Sequence, residues 1–173
     1  AGSVTDDFTT VWSAARRFVE RVPVYNEVYS HVNPHYLYNP GATLLLSPMG
    51  LIADIDVARP VFIADNAACI IAALAWLIRL VGRPLAGPTF PVAVALAFST
   101  EAVTNTLVFS NINGILLLAL VAFIALLLSR HDIAAGMVLG LAILVKPMFA
   151  PLLIAVVLTA APCRSRTTQL MLG

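Results

Sequence analysis

Residues 60–82 read PVFIADNAACIIAALAWLIRLVG, an apolar stretch long enough to cross a lipid bilayer as a single helix. A hydrocarbon core of about 30 Å requires about 20 helical residues. Two further stretches of this kind follow at 90–109 and 113–128. The 173-residue chain is 60% hydrophobic and 11% charged, whereas soluble chains have about 45–50% apolar and about 25% charged residues. This composition excludes a soluble globular domain and predicts an all-α, polytopic membrane protein.

The remaining apolar segments are too short to span a bilayer. Residues 41–52 are interrupted by Pro48, and residues 133–145 and 148–161 are separated by a Lys-Pro pair. Proline lacks a backbone donor and clashes with the preceding turn, so each segment is predicted to be a partial helix. Half-helices at membrane depth are tolerated where they line a cavity, which is our interpretation of the Lys-Pro break.

The N-terminal part of the chain contains more charged and aromatic side chains. Residues 7–20 place apolar side chains at the i, i+3, i+4, i+7 spacing of an amphipathic helix. This helix is too short and too charged to span a bilayer, and we predict that it lies in the membrane interface. Tyrosines, which favour the headgroup level, follow it up to Pro40. We therefore divide the chain into an extracytoplasmic first loop, residues 1–40, and a partial transmembrane bundle, residues 41–173.

Positive charges predict the orientation of the bundle. Arginines follow the first span, the third span and the last half-helix: Arg79, Arg83, Arg130, Arg164 and Arg166. Loops rich in arginine remain in the cytoplasm. The first loop, Asn111, Asn113 and Lys146 are then predicted on the extracytoplasmic face of the plasma (inner) membrane. A net charge of +1 without any basic run offers no surface for nucleic acid.

Three carboxylates are candidates for chemistry. Asp6 and Asp7 precede the amphipathic helix, where a carboxylate can cap the backbone or act as a general base on a sugar hydroxyl within hydrogen-bond reach. Glu101 lies near the middle of a predicted span, where ionisable groups are costly and usually face a polar cavity or a partner. Its alternative role is structural, through a hydrogen bond to Thr104 or Asn105.

Lys146 is the only lysine of the chain and lies at the predicted helix break. Its ammonium can bind a phosphate as a point charge, or it can extend to the interface while its methylenes stay in lipid. We favour the phosphate, because Pro147 would open a pocket beside it. Neither the two cysteines nor His31 and His35 complete a metal-ligand set, so no metal site is predicted, although a divalent cation is compatible with the sequence.

Four segments, in this order, resemble the family 87 glycosyltransferases of the GT-C group. They are DDFTTVWSAARRFVERVPVYNEVY (6–29), YLYNPGATLLLSPMGLI (36–52), SNINGILLLAL (110–120) and AAGMVLGLAILVKP (134–147). The family pattern is an aspartate before an interfacial helix, a Tyr-Asn-Pro stretch, a Gly-Gln-x-Asn turn and an AG-LG-K-P segment. The chain departs from it where Ser-Asn replaces Gly-Gln at 110–111.

The resemblance implies a GT-C-like bundle, of which this chain is expected to be the N-terminal half, and it implies roles for particular residues. Asp7, with Asp6 beside it, corresponds to the catalytic base. The candidates for binding the phosphate of the sugar donor are Lys146, Arg16 and Arg17. The candidates for binding substrate are Tyr38, Asn39, Asn111, Asn113 and Glu101.

Within the family, the first two segments are most similar to members that add α-1,3 arabinofuranose branches to cell-wall arabinan. The resemblance then implies a decaprenyl-phosphoryl-arabinofuranose donor, a growing arabinan as acceptor and an inverting displacement. A mannosyltransferase that uses polyprenyl-phosphomannose is an alternative. So is a non-enzymatic transporter or scaffold, since broken helices and intramembrane carboxylates also occur in transporters. We find no internal repeat, which favours the transferase.

Overall fold

The computed structural model describes residues 7–25, 38–154 and 156, and it contains helices but no strand in these ranges. One 3₁₀ turn, Ser47–Leu51, directly follows the helix that ends at Leu46, and another, Pro147–Phe149, follows Lys146. The α-helices are α1 (Asp7–Val19), α2 (Pro40–Leu46), α3 (Ile55–Leu80), α4 (Thr89–Phe98), α5 (Glu101–Val108), α6 (Asn113–Leu128) and α7 (Asp132–Val145). The predicted all-α class is confirmed for this part of the chain, as are the partial helix after Pro40 and the break at Lys146.

Helix α3 begins earlier than the sequence analysis predicted. The carboxylate of Asp54 accepts a hydrogen bond from the backbone N–H of Asp56 at 2.8 Å, which caps the helix before Ile55. Residues 54–59 are therefore the cap and first residues of α3, ahead of the apolar stretch 60–82. Pro60 is the sixth residue of α3 and lies inside the helix, where it removes one backbone donor from the hydrogen-bond ladder.

The prediction of one continuous helix over 90–109 is wrong. Helices α4 and α5 meet at an angle of 64° around Ser99 and Thr100. Both hydroxyls donate to carbonyls of α4, at 2.8 Å from Ser99 to Ala95 and 2.6 Å from Thr100 to Ala97. The Thr100 hydroxyl also accepts from the backbone N–H of Val103 at 3.4 Å and so begins a new helix. Hydroxyl side chains compete with the backbone ladder in this way and favour caps.

Among the described helices, α3 alone is long and apolar enough to cross a membrane, and α4 with α5 adds a second crossing if the bent pair is one span. Helix α6 has 16 residues and α7 has 14. At 1.5 Å per residue, α6 is about 24 Å long, less than a hydrocarbon core of about 30 Å. The polytopic arrangement therefore stays a prediction.

Helices α3, α6 and α7 pack side by side. The Asn66 side chain contacts Gly114, and one turn further along each helix Ile70 and Leu117 line the same cavity, so α3 and α6 run in the same direction. Helix α7 returns antiparallel to α6 and ends near its beginning. The end of the bundle where α3 and α6 begin and α7 ends is called the site end below, and the opposite end is called the loop end.

Helix α1 lies across the site end. Its buried face consists of Phe8, Val11, Ala14 and Ala15, and the Phe8 ring stacks on Phe62 of α3 at 4.7 Å between centroids. The predicted amphipathic helix is thereby confirmed. Its apolar face, however, packs on protein over its first two turns, while Phe18 and Val19 near its end stay exposed.

A glycine allows α1 to approach the turn after α2. A Cβ atom at Gly50 would lie 2.4 Å from the backbone carbonyl atoms of Ala15 and 2.7 Å from the nitrogen of Arg16. Backbone therefore packs directly on backbone at this point. The indole N–H of Trp12 donates to the Ile52 carbonyl at 3.0 Å on the same side. These contacts fix the position of α1 on the bundle.

Candidate functional site

Lys146 is the centre of a polar cluster at the site end. Helix α7 stops at Val145 because Pro147 cannot continue it, and Lys146 takes an extended conformation, with φ −132° and ψ 102°. Its ammonium donates to the side-chain oxygen of Asn113 at 2.7 Å and to that of Asn111 at 3.1 Å. The fold thus brings together three residues predicted for the site, although Lys146 follows both asparagines by more than 30 positions in the sequence.

The turn between α5 and α6 orients both asparagines. Ser110 has a φ of 51°, a left-handed conformation that glycine adopts more readily, and the Asn111 N–H donates to the Thr106 carbonyl at 2.8 Å. The glycine of the family pattern at this position is explained by that φ. Serine in this conformation destabilises the fold relative to glycine, and its buried hydroxyl has no hydrogen-bond partner in the described structure.

Asn66, which was not among the predicted site residues, supports this cluster from α3. Its amide donates to the Phe62 carbonyl at 3.0 Å, and its side-chain oxygen accepts from the N–H of Gly114 at 3.0 Å. A Cβ at position 114 would lie 2.5 Å from the Asn66 carbonyl oxygen. Asn66 therefore fixes the first turn of α6, which carries Asn113. The signal in the sequence was a polar side chain inside an apolar span.

Two cavities lie beside residues of the Lys146 cluster, and Lys146 itself lines neither of them. One has a volume of about 570 Å³ and lies between α3, α5 and the start of α6; it is called the polar cavity below for its four polar side chains, although most of its lining is apolar. The polar side chains are Asn105, Thr106, Asn111 and Asn113, and the remaining lining residues are Ile70, Ala102, Val103, Phe109, Gly114 and Leu117. The other is an apolar groove of about 390 Å³ between α3, α6 and α7, lined among others by Leu45, Trp76, Ile112, Ile115, Leu141 and Val145. Lys146 follows Val145 of the groove in sequence and binds Asn111 and Asn113 of the cavity.

Glu101 lies outside this cluster. It is exposed in the first turn of α5, where a carboxylate complements the helix dipole, and it accepts from the Asn105 amide at 3.3 Å. This is the structural role that the sequence analysis left open. The bend at Thr100 makes this position a helix start. A contact of Glu101 with substrate stays a prediction.

The Tyr-Asn-Pro stretch begins α2. Asn39 is exposed at the N-cap position and makes no side-chain capping bond, with Pro40 as the first helical residue. Tyr38 packs partly buried against the core of the site end, and its carbonyl accepts from the Tyr25 hydroxyl at 3.1 Å. Both residues therefore border the site end; a contact with substrate stays a prediction for them.

The two predicted arginines lie at the C-terminal end of α1. Arg16 donates to the Gly50 carbonyl at 3.3 Å and forms an ion pair with Glu20 at 2.7 Å. Arg17 donates to the Pro23 carbonyl at 2.9 Å. These contacts hold the turn that follows α1 and the turn that follows α2.

Asp7 is the first residue of α1, so the predicted aspartate does precede the buried face of the amphipathic helix. The side chain of Asp7 lies outside the part of the structure that is described, as do Asp6, His31 and His35. Within the described ranges no three His, Cys, Asp or Glu side chains are grouped closely enough to hold a metal ion.

The model of glycosyltransferase family 87 matches residues 36–168, and the chain belongs to this family. The predicted resemblance is thereby confirmed. No solved structure matches the chain.

Curated relatives are named alpha-(1->3)-arabinofuranosyltransferase. The chain is 59% identical over 152 residues to that of Corynebacterium glutamicum, covering 88% of this chain and 36% of the relative. It is 42% identical over 160 residues to that of Mycolicibacterium smegmatis, covering 91% and 37%. It is 40% identical over 156 residues to that of Mycobacterium tuberculosis, covering 88% of this chain and 36% of the relative. The chain thus spans about a third of the length of these relatives.

Proposed function

We propose that the protein acts in the transfer of arabinofuranose from a polyprenyl-phosphate donor, decaprenyl-phosphoryl-arabinofuranose, to an arabinan acceptor, forming α-1,3 branches. Membership of family 87 and the names of the relatives support the reaction class and the linkage. The single observation that carries the donor assignment is the ammonium of Lys146, which binds Asn111 and Asn113 of the polar cavity and directly follows Val145 of the apolar groove.

A lipid-phosphate sugar has an apolar tail, an anionic phosphate and a polar ring, in that order. The groove, Lys146 and the cavity present the complementary chemistry in the same order. The isoprenoid tail would lie in the groove between Trp76 and Leu141, whose lining is almost entirely apolar. Lys146 is our choice for the phosphate over Arg16, because its partners Asn111 and Asn113 both line the cavity. The partners of Arg16, Gly50 and Glu20, line neither the cavity nor the groove.

The base in this proposal is Asp7, with Asp6 beside it. Support comes from the way in which the first turn of α1 is held on α3. Phe8 stacks on Phe62, and Arg59 donates to the Thr9 hydroxyl at 3.1 Å, so the residues that follow Asp7 are anchored. A general base must be kept within hydrogen-bond reach of the hydroxyl that it deprotonates, and an anchored helix start provides this.

The displacement then proceeds in one step. The acceptor hydroxyl oxygen forms a bond to the anomeric carbon while the bond from that carbon to the phosphate oxygen breaks. The lipid phosphate leaves with the electron pair, the hydroxyl proton passes to the Asp7 carboxylate, and the anomeric configuration inverts. Because the leaving phosphate gains negative charge, an ammonium fixed beside it stabilises the transition state more than the ground state. We place this chemistry on the extracytoplasmic side of the plasma membrane.

The test is transfer by the protein as its host produces it, purified in micelles, from decaprenyl-phosphoryl-arabinofuranose to a linear α-1,5 arabino-oligosaccharide. We expect α-1,3-linked product. Asp7→Asn should lower kcat by a factor of about 10²–10⁴, the usual contribution of a general base. Asp132→Asn is the matched control, because Asp132 is also the first residue of a helix but lies at the loop end.

Equal effects of the Asp7 and Asp132 variants would reduce Asp7 to a capping residue. For the phosphate, Lys146→Met should abolish transfer and Lys146→Arg should retain part of it. Arg130→Met, which removes an exposed cation from the loop end, should leave transfer unchanged. Transfer from polyprenyl-phosphomannose in place of the arabinose donor would establish the mannosyltransferase alternative.

A further inference from the structure

We propose that the polar cavity between α3, α5 and the start of α6 holds the sugar ring of the donor, and that Thr106 and Asn105 of α5 bind its hydroxyls. This inference rests on the proposed function. Neither α5 residue was assigned a role in the site by the sequence analysis, and neither follows from the family match. The volume of about 570 Å³ lies within the range of about 300–1,000 Å³ that small-molecule sites occupy.

Four of the ten residues that line the cavity carry polar side chains, and the other six, among them Ile70 and Leu117, are apolar, a mixture that suits a neutral sugar ring. Three amide side chains, Asn105, Asn111 and Asn113, and the Thr106 hydroxyl supply donors and acceptors together. The described residues that line the cavity include no ionisable side chain, which is unfavourable for a charged ligand and suitable for a sugar ring. Phe109, which is half exposed at the cavity, adds an aromatic surface for the apolar face of a ring.

Hydrogen bonds connect the cavity wall to the cation. The Asn113 amide donates to the Thr106 hydroxyl at 3.4 Å, while its oxygen accepts from the Lys146 ammonium at 2.7 Å. A phosphate bound at Lys146 would therefore lie next to Thr106, at the distance of one bridging side chain. In the donor the sugar ring is joined directly to the phosphate, so the cavity is where the ring must lie.

Two threonines of α5 give a matched pair of variants. The Thr104 and Thr106 hydroxyls both donate to the carbonyl four residues earlier, at 3.0 and 2.8 Å, so their helical environments are alike. Only Thr106 is buried and lines the cavity, whereas Thr104 is exposed. Valine replaces threonine with nearly the same shape and removes the hydroxyl.

The experiment measures KM and kcat for the lipid-phosphate arabinose donor, KM for the acceptor, and inhibition by decaprenyl phosphate, which carries no sugar. We expect Thr106→Val to raise the donor KM about tenfold, the effect of one lost hydrogen bond. Inhibition by decaprenyl phosphate and the acceptor KM should not change. Thr106→Ser should restore the donor KM in part, and Thr104→Val should behave as the unmodified protein. Asn105→Ala should act in the same direction as Thr106→Val.

Three outcomes would overturn the inference. An unchanged donor KM in Thr106→Val and Asn105→Ala would show that the ring lies elsewhere. A raised acceptor KM with an unchanged donor KM would show that the cavity binds the acceptor instead of the donor sugar. Weaker inhibition by decaprenyl phosphate, equal to the rise in donor KM, would mean that Thr106 acts through Lys146 on the phosphate alone. Failure of the proposed function is distinguishable, because the unmodified protein would then transfer no arabinose.

Discussion

Both ends of the bundle contain apolar packing, but among the described residues the site end adds hydrogen bonds that join distant parts of the sequence. At the site end, residues far apart in sequence are joined by hydrogen bonds, which Trp12 donates to Ile52, Gly114 to Asn66 and Lys146 to Asn113. At the loop end, Phe123 of α6 packs on Ala135 and Leu139 of α7. Directional contacts fix the positions of polar groups, whereas apolar packing requires only shape and volume. The geometry of the protein is thus specified most tightly where we place the chemistry.

The largest difference between the two ends is expected for alanine at glycine positions. Gly50→Ala introduces a Cβ within 2.4 Å of the α1 backbone and should destabilise the protein by about 3 kcal/mol, since backbone cannot move aside without displacing α1. Gly136→Ala, in α7 near the loop end, meets nothing within 4 Å. It should stabilise the helix by about 0.5–1 kcal/mol. Urea unfolding in micelles, followed by circular dichroism, measures both; similar losses for the two variants would contradict the comparison.

Removal of a buried hydrogen bond should have the next largest effect. Asn66→Ala leaves the Gly114 N–H without its acceptor and should cost about 2 kcal/mol, because that donor is buried away from water. Ser129→Ala, at the exposed C-cap of α6 at the loop end, should change the unfolding free energy by less than about 0.5 kcal/mol. A neutral Asn66→Ala variant would mean that packing alone holds α3 against α6.

Replacement by glycine should stabilise the folded protein at two positions that have a positive φ. Ser110 has a φ of 51° and Arg130, after α6 at the loop end, has a φ of 61°. A non-glycine residue in the left-handed conformation destabilises the folded state by about 1–2 kcal/mol. Glycine avoids this cost but loses more conformational entropy on folding, which offsets about 0.5–1 kcal/mol of the gain. Arg130→Gly should therefore gain about 0.5 kcal/mol. Ser110→Gly should gain about 1 kcal/mol or more, because it also removes a buried hydroxyl without a partner. Thermal unfolding measures both variants, and equal stabilisation by Ser110→Gly and Arg130→Gly would show that the buried Ser110 hydroxyl has no cost of its own.

The smallest effect is expected for an exposed ion pair. Glu20→Gln breaks the bond from Arg16 at 2.7 Å, in which both side chains are solvent-accessible, and should cost about 0.3 kcal/mol. The cost should disappear in 1 M salt, where the screening length is about 3 Å. A larger, salt-independent loss would indicate that Glu20 holds Arg16 against Gly50.

Local patterns in the sequence predicted much of the fold. The amphipathic spacing of α1, the proline at the start of α2 and the Lys-Pro break after α7 each act within one or two helical turns, so their consequences can be read from nearby residues. The bend at Thr100 was also encoded locally, by Ser-Thr-Glu inside an apolar run. It was missed because apolar periodicity was given more weight than capping chemistry.

The site was predicted as a set of residues but not as an arrangement. Lys146 was predicted from its charge at the helix break, whereas Asn111 and Asn113 were predicted from the family resemblance. Their pairing depends on α6 and α7 packing antiparallel, which no local pattern specifies. Asn105 and Thr106 were absent from the predicted set for the same reason. Only the turn at Ser110 directs them toward one cavity with Asn113.

The parallel course of α3 and α6 has a consequence for biosynthesis. Parallel neighbours cannot pair as a hairpin, so α3 must wait for α4 and α5 to be made before it meets α6, and contacts of long sequence separation form late. The Asn66 amide group can bond to the Phe62 carbonyl as soon as the helix forms, but its oxygen finds its partner only after 48 more residues have been synthesised. During that interval the Asn66 side-chain oxygen lacks the partner that it has in the folded protein.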